Sequence, residues 1–161
     1  MEKGTVQIIY GSGRGKSSLA LGRCIDAISK GKTAIIIQFL KGNPNADRLA
    51  VIDRLEPELQ VFRFEKSVES FANLSEEEKA KELMNIHNGL NYAKKVMTTG
   101  ECDFLVLDEV LGLVDQNIVS VEELHKLLSA REESMSLVLT GTVLPEGLKQ
   151  EADVITHLDE G

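Results

Sequence analysis

The chain has 161 residues, 42% of them hydrophobic, with 18 basic and 26 acidic side chains for a formal net charge of −8. That length and apolar content suffice for one domain over residues 1–161, with a continuous core and no need of disulfide or metal staples. The acidic balance argues against a nucleic-acid partner. No apolar run approaches the roughly 20 residues of a membrane span, and "MEKGTVQ" lacks a signal peptide's apolar core, so a cytoplasmic protein away from membranes is expected.

In chain order, "TVQIIY" (Thr5 to Tyr10) reads as a first strand, followed by the glycine-rich "GSGRGKSS" (Gly11 to Ser18). Leu21, Cys24, Ile25 and Ile28 then recur at helical spacing, and Gly31 supplies a stop. "TAIIIQFL" (Thr33 to Leu40) is a second strand. Residues 42–55, with "GNPNADR", read as a loop leading into a short helix and are expected to be the most mobile part of the chain. "LQVFRF" (Leu59 to Phe64) is a third strand. Ser75 followed by Glu78 forms a capping box that opens a long helix, whose apolar face carries Leu83, Ile86, Leu90 and Met97. "DFLVLD" (Asp103 to Asp108) is a fourth strand, Val121 to Ala130 a further helix, "SLVLTG" (Ser136 to Gly141) a fifth strand and "ADVITHL" a weaker sixth.

Several of these strands are apolar nearly throughout, as parallel strands covered on both faces are. With the alternation of strand and helix, this predicts a three-layer α/β/α fold of P-loop NTPase type, around a mostly parallel sheet of five to six strands.

The chemistry concentrates in two places. In "GSGRGKSS" the glycines let backbone N–H groups turn inward around phosphate oxygens, and the following helix points its positive end there. Gly11, Ser12, Gly13, Arg14, Gly15, Lys16, Ser17 and Ser18 are therefore the candidate phosphate cradle, with Lys16 neutralising charge and the Ser17 hydroxyl reaching a magnesium ion. The usual pattern G-x-x-x-x-G-K-S/T places a glycine where this chain has Tyr10. In "FLVLDE" an apolar strand ends in Asp108 and Glu109. Mg²⁺ prefers hard oxygen donors, so carboxylates near Ser17 would complete its shell. Ser17, Asp108 and Glu109 are the candidate metal ligands.

Cys24 and Cys102 lack metal-ligand spacing and read as core thiols. His87 shares the apolar face of the long helix and reads as packed, whereas His125 in "EELHKLL" reads as a helix-surface residue. Neither is given a catalytic or metal role.

A loop written G-x-G-x-G-K-S/T-S/T, without the first glycine, resembles that of the P-loop class ATP:corrinoid adenosyltransferases. "IQFLKG" (Ile37 to Gly42) is similar to the family's I-Q-F-I-K-G, "LVLDE" to L-V-I-L-D-E, "LVLTGTVLPEGL" to V-V-L-T-G-R-x-x-P-E-E-L, and "EADVITHL" to A-A-D-L-V-T-E-M. The resemblance implies binding of ATP with Mg²⁺ and of a reduced corrinoid as co-substrate. Its Co(I) would attack the ribose C5′ and expel triphosphate. It implies Lys16 and Glu109 as catalytic residues and adds Gln38, Lys41 and Phe71 as binding residues. A homodimer is admitted rather than required.

The sequence also departs from that family. Thr142 stands where the family has arginine, Leu111 and Gly112 where it has other residues after L-D-E, and Phe71 remains where it has a phenylalanine and a tryptophan. The family continues past the last strand with a basic, aromatic tail, whereas this sequence stops at Gly161, so an open, shallow corrinoid face with slow or subunit-dependent adenosylation is expected. Two alternatives stand beside the transferase. One is a P-loop ATPase or kinase with Glu109 as base. The other is a nucleotide-binding regulator or partner derived from the family.

Overall fold

The computed structural model describes residues 3–40, 46–64 and 71–160, with the side chains of 46–49 excepted. Among the described residues, six strands form one sheet: β1 (Val6–Tyr10), β2 (Ala34–Gln38), β3 (Leu59–Arg63), β4 (Phe104–Asp108), β5 (Ser136–Gly141) and β6 (Val154–His157). Their spatial order is β3-β2-β4-β5-β1-β6, and every pairing is parallel. The expected strands are all present, each trimmed by a residue or two at its ends except β5, which keeps its bounds. The sixth joins the sheet as an edge beside β1, with Val154 and Ile155 exposed.

The helices are α1 (Lys16–Ser29), α2 (Ala46–Asp53), α3 (Glu76–Thr99), α4 (Val110–Asp115) and α5 (Val121–Leu128), with single-turn 3₁₀ pieces at Phe71–Asn73 and a longer one at Glu146–Glu151. Alternation along the strands sorts them into layers. Ile8, Ile35, Ile37, Leu105, Leu107, Leu137 and Leu139 pack with residues of α3, α4 and α5. The intervening Ile9, Ile36, Val106 and Val138 pack with Ala20 and Cys24 of α1 and Ile52 of α2. Both faces of the central strands are thus covered, which is why their sequences are apolar without alternation.

Two expectations about helix faces need correction. Ile25 is 47% exposed, and α1 instead buries Ala20, Cys24 and Ala27, small side chains that bring the helix close to the sheet. His87 is exposed rather than packed; α3 buries Glu82, Ile86, Gly89, Ala93, Val96 and Met97. That line falls one residue beside the face inferred from leucine spacing. The Ser75 and Glu78 capping box is present, with Ser75 Oγ accepting from Glu78 N and the Glu78 carboxylate accepting from Ser75 N, both at 3.2 Å. Hydrogen bonding to the Ser75 hydroxyl, and then to the Ser75 backbone N–H, holds the Glu78 carboxyl below its ordinary range. Helix α4 has no counterpart in the sequence reading. No described helix is long and apolar enough to cross a membrane.

At Gly89, α3 lies against two phenylalanine rings on the sheet side. A Cβ there would lie 2.8 Å from Phe39 Cε1 and 2.8 Å from Phe64 Cγ. Alanine gains up to about 1 kcal/mol over glycine at an open helical site, but overpacking against the buried Phe39 and half-buried Phe64 rings costs about 1–3 kcal/mol. Gly89→Ala is expected to lower stability in urea denaturation; an unchanged or higher midpoint would show that the rings yield.

Burial pushes the thiols of Cys24 and Cys102 up to about 12. Both are therefore expected to resist alkylation at about pH 8 until the chain is unfolded. The raised values favour the folded state below the ordinary 9.0. Stability should fall as pH rises from there toward about 12, because the unfolded chain releases these protons first. Alkaline denaturation insensitive to replacing both cysteines by alanine would contradict this.

Candidate nucleotide site

Strand β1 ends at Tyr10, and the chain turns at Gly11, with φ of 129°. Tyr10 continues the pairing, with Gly141 of β5 and His157 of β6 as its partners. Its ring stacks on that of His157, with centroids 4.6 Å apart and planes 8° from parallel. A tyrosine can occupy the place of the usual first glycine because the turn begins one residue later. Gly11 itself has no alternative. A Cβ there would lie 2.0 Å from the Leu158 carbonyl oxygen, in a backbone conformation that side chains disfavour.

The segment leaving β6 runs along this loop. Leu158 N donates to Tyr10 O at 2.9 Å, and Gly13 N donates to Leu158 O at 2.8 Å. Ser12 Oγ donates to Asp159 Oδ1 at 3.0 Å, and Arg14 Nε lies 3.6 Å from Glu160 Oε1 on the surface. None of these partners was apparent in the sequence, since they depend on β6 lying next to β1.

Lys16, at the first position of α1, turns its Nζ back over the loop, 2.7 Å from Gly11 O and 3.0 Å from Gly13 O. Ser17 Oγ lies 3.0 Å from each Asp108 carboxylate oxygen. Asp108 is only 1% exposed, yet it is well solvated by the protein. Thr140 Oγ1 donates to its Oδ1 at 2.7 Å, and Gln38 Nε2 approaches its Oδ2 at 3.4 Å. Glu109 follows in a left-handed conformation, φ 64°, with its N–H donating to Thr140 Oγ1 at 2.8 Å. A cavity of about 310 Å³ is lined by residues 12–18 and Glu109.

The structure thus gathers the loop, Lys16, Ser17, Ser18, Asp108 and Glu109 in one place, and ties Gln38 to them through Asp108. Phe71 does not line that cavity; it is half-buried in its one-turn helix, with Lys79 Nζ 5.8 Å from its ring centroid. Lys41 and residues 42–45 lie outside the described residues. Thr140 is the contributor that sequence reasoning missed, although it sits inside the "LTG" stretch already set apart by resemblance. His125 is exposed and contacts the Glu151 carboxylate between α5 and the last 3₁₀ segment.

A parallel six-stranded sheet with a glycine-rich turn between β1 and α1, facing an acidic residue at the end of β4, defines an α/β protein of the P-loop class. The chain matches the ATP:corrinoid adenosyltransferase BtuR/CobO/CobP family over residues 2–161, and it belongs to that family. It is 26% identical over 161 residues to a corrinoid adenosyltransferase of Escherichia coli K12, covering 98% of this chain and 77% of that protein. It is likewise 26% identical over 158 residues to the corrinoid adenosyltransferase CobA of Salmonella typhimurium LT2, with the same coverage. Among solved structures it resembles a KaiC-like protein of Pyrococcus horikoshii OT3, with a TM-score of 0.62 and 20% identity over 99% of this chain and 74% of the other. That last likeness speaks to the fold.

Thr140→Val keeps the shape of the side chain but removes the hydroxyl shared by Asp108 and Glu109. Losing a hydrogen bond to a buried charged group costs about 1.5–3 kcal/mol. Chemical denaturation should show a loss of that size for Thr140→Val and a much smaller one for Thr140→Ser. Unchanged stability in Thr140→Val beside a clear loss in Thr140→Ser would mean that the methyl packing matters rather than the hydroxyl.

Proposed function

We propose that the protein is an ATP:corrinoid adenosyltransferase that binds MgATP at residues 11–18. The observation that carries the reading is Ser17 Oγ at 3.0 Å from both oxygens of the buried Asp108 carboxylate, in a chain whose family is defined by this reaction. A hydroxyl and a carboxylate at that separation form a hard-oxygen donor pair of the kind Mg²⁺ accepts when phosphates and water complete its shell. Ser17 and Asp108 would hold the ion with Glu109 beside them. When bound, it would supply positive charge against the triphosphate.

In the reaction, the electron pair of Co(I) forms a bond to C5′ of the ribose. The C5′–O bond breaks, and its electron pair leaves with the triphosphate. No water is activated, so the residues of this chain serve to position and to neutralise. Lys16 releases the Gly11 and Gly13 carbonyls and turns its ammonium to phosphate. The loop amides other than those of Gly11 and Gly13, which donate to Gly141 O and Leu158 O, and the positive end of α1 bind the remaining oxygens.

Glu109, which lines the loop cavity, supports a second reading in which it acts as base on water and ATP is cleaved to ADP and phosphate. Products separate the two. Anaerobic incubation with ATP, Mg²⁺ and chemically reduced corrinoid is expected to give the spectrum of a cobalt–carbon bond together with inorganic triphosphate. Phosphate and ADP formed without corrinoid would favour hydrolysis. Lys16→Ala should weaken ATP binding by about 1.5–3 kcal/mol in calorimetry; equal affinity in the two proteins would remove the nucleotide assignment.

A further inference from the structure

A second cavity lies at the amino edge of the sheet, on the α1 side and at the opposite end of the strands from the glycine-rich loop. Its volume is about 280 Å³, and its walls come from the starts of β1, β4, β5 and β6, the second half of α1 and the turn that follows it. We propose that this cavity binds a small phosphate ester, a phosphate group on a hydroxyl-bearing body of a few atoms, held by Arg23, Lys30 and Lys32. The site is independent of the nucleotide reading above. Helix α1 has 14 residues, so about 20 Å of helix separates its loop end from this cavity.

Charge comes first. Arg23, Lys30 and Lys32 line the cavity, and among the described residues none of the three is in an ion pair. Asp26 and Asp103 line it too, so three cations stand against two carboxylates, a local positive excess in a chain whose formal net charge is −8. One of those carboxylates is already engaged, because Asp103 Oδ2 accepts from Thr33 N at 3.0 Å. Cations also offset the negative end of a helix, but that effect fades within the last turn. Arg23 precedes the last turn of α1 and Lys32 lies past Gly31, so the helix end does not account for the group.

The inner wall is polar where the fold alone asks for an apolar residue. Gln7 is only 7% exposed, two positions before Ile9, which packs in the core on this face of the sheet. Buried polar groups are held by hydrogen bonds, and Gln7 Nε2 donates to Thr156 Oγ1 at 3.0 Å. Its Oε1 has no partner among the described residues and is not enclosed, so it opens to the cavity that Gln7 lines. That oxygen is an acceptor for a ligand hydroxyl. Ser136 Oγ accepts from Thr5 N at 3.2 Å, which leaves its O–H to donate to a phosphate oxygen. The guanidinium fork and the ammonium groups are phosphate's usual partners. The volume has room for about nine waters at about 30 Å³ each, enough for a phosphate and a short body but not for a nucleotide or a macrocycle.

Amide NMR separates this site from the loop. Glycerol 3-phosphate titrated into the Lys16→Ala protein, which lacks the loop ammonium, is expected to move the Gln7 carboxamide and the Lys32 and Ser136 amides along a saturable curve. Arg23 and Lys32 are exposed, so Arg23→Gln with Lys32→Gln should leave the fold intact. That pair should weaken binding about tenfold or more, the worth of charge-assisted contacts to phosphate. Lys126→Gln on α5, a cation lost elsewhere, should leave it unchanged. Citrate should bind more weakly than the phosphate ester, and glycerol should not bind. Shifts that never saturate, that stay at the loop glycines alone, or that survive the paired substitution would overturn the site. Citrate binding as tight as glycerol 3-phosphate would overturn the phosphate assignment in favour of a carboxylate.

Discussion

The carboxylate of Asp108 is almost wholly withdrawn from solvent, and withdrawing a carboxylate is costly unless hydrogen bonds replace the lost water. Here they come from three directions: Ser17 on α1, Thr140 on β5 and Gln38 on β2. Each of these elements must end where its donor meets the same two oxygens. The first turn of α1 is thereby held at the carboxyl edge of the sheet, and the glycine-rich loop that precedes it inherits that position. Thr140 extends the arrangement, since its oxygen also accepts the Glu109 N–H and so sets the left-handed start of α4.

The sheet was legible because its central strands are buried on both faces, and continuous apolar runs such as Ile35–Ile37 and Leu105–Leu107 follow from that. Strand β6 gave a weaker signal for the opposite reason: it lies at an edge, with Val154 and Ile155 open to solvent. The errors on the helices share a cause. Periodicity marks large apolar residues, but α1 packs through alanine and cysteine, which left Ile25 outside and Ala27 inside. Along α3 the same preference for large residues passed over Gly89, the position at which two phenylalanine rings leave no room for a side chain. Helix α4 has six residues, and its N-cap residue Glu109 makes no side-chain cap bond, so it carries none of the usual boundary signals.

Of the site, the sequence displayed what is local. The loop glycines, Lys16 and Ser17 occupy consecutive positions, and Asp108 and Glu109 end a recognisable strand. What it concealed is whatever register alone creates. Gln38 and Asp108 are cross-strand partners 70 residues apart, and Thr140 reaches Asp108 across 32. His157 meets Tyr10 only because β6 pairs with β1. Resemblance singled out Gln38 and the "LTG" stretch, but the contacts that give those residues a task come from the fold.

The edge strand and the glycine-rich loop are joined along their length, by the ring stack at Tyr10, the Gly13–Leu158 bond and the polar contacts of Ser12 and Arg14. Neither segment can rearrange without disturbing the other, so their free energies are linked. Whatever binds the loop and holds it in this shape must, by reciprocity, tighten the attachment of β6 to the sheet. Whatever loosens β6 must weaken loop binding by the same factor. The margin of the sheet and the glycine-rich loop thus behave as one thermodynamic unit, and a change at the exposed edge strand is felt as a change in the loop's affinity for whatever it binds.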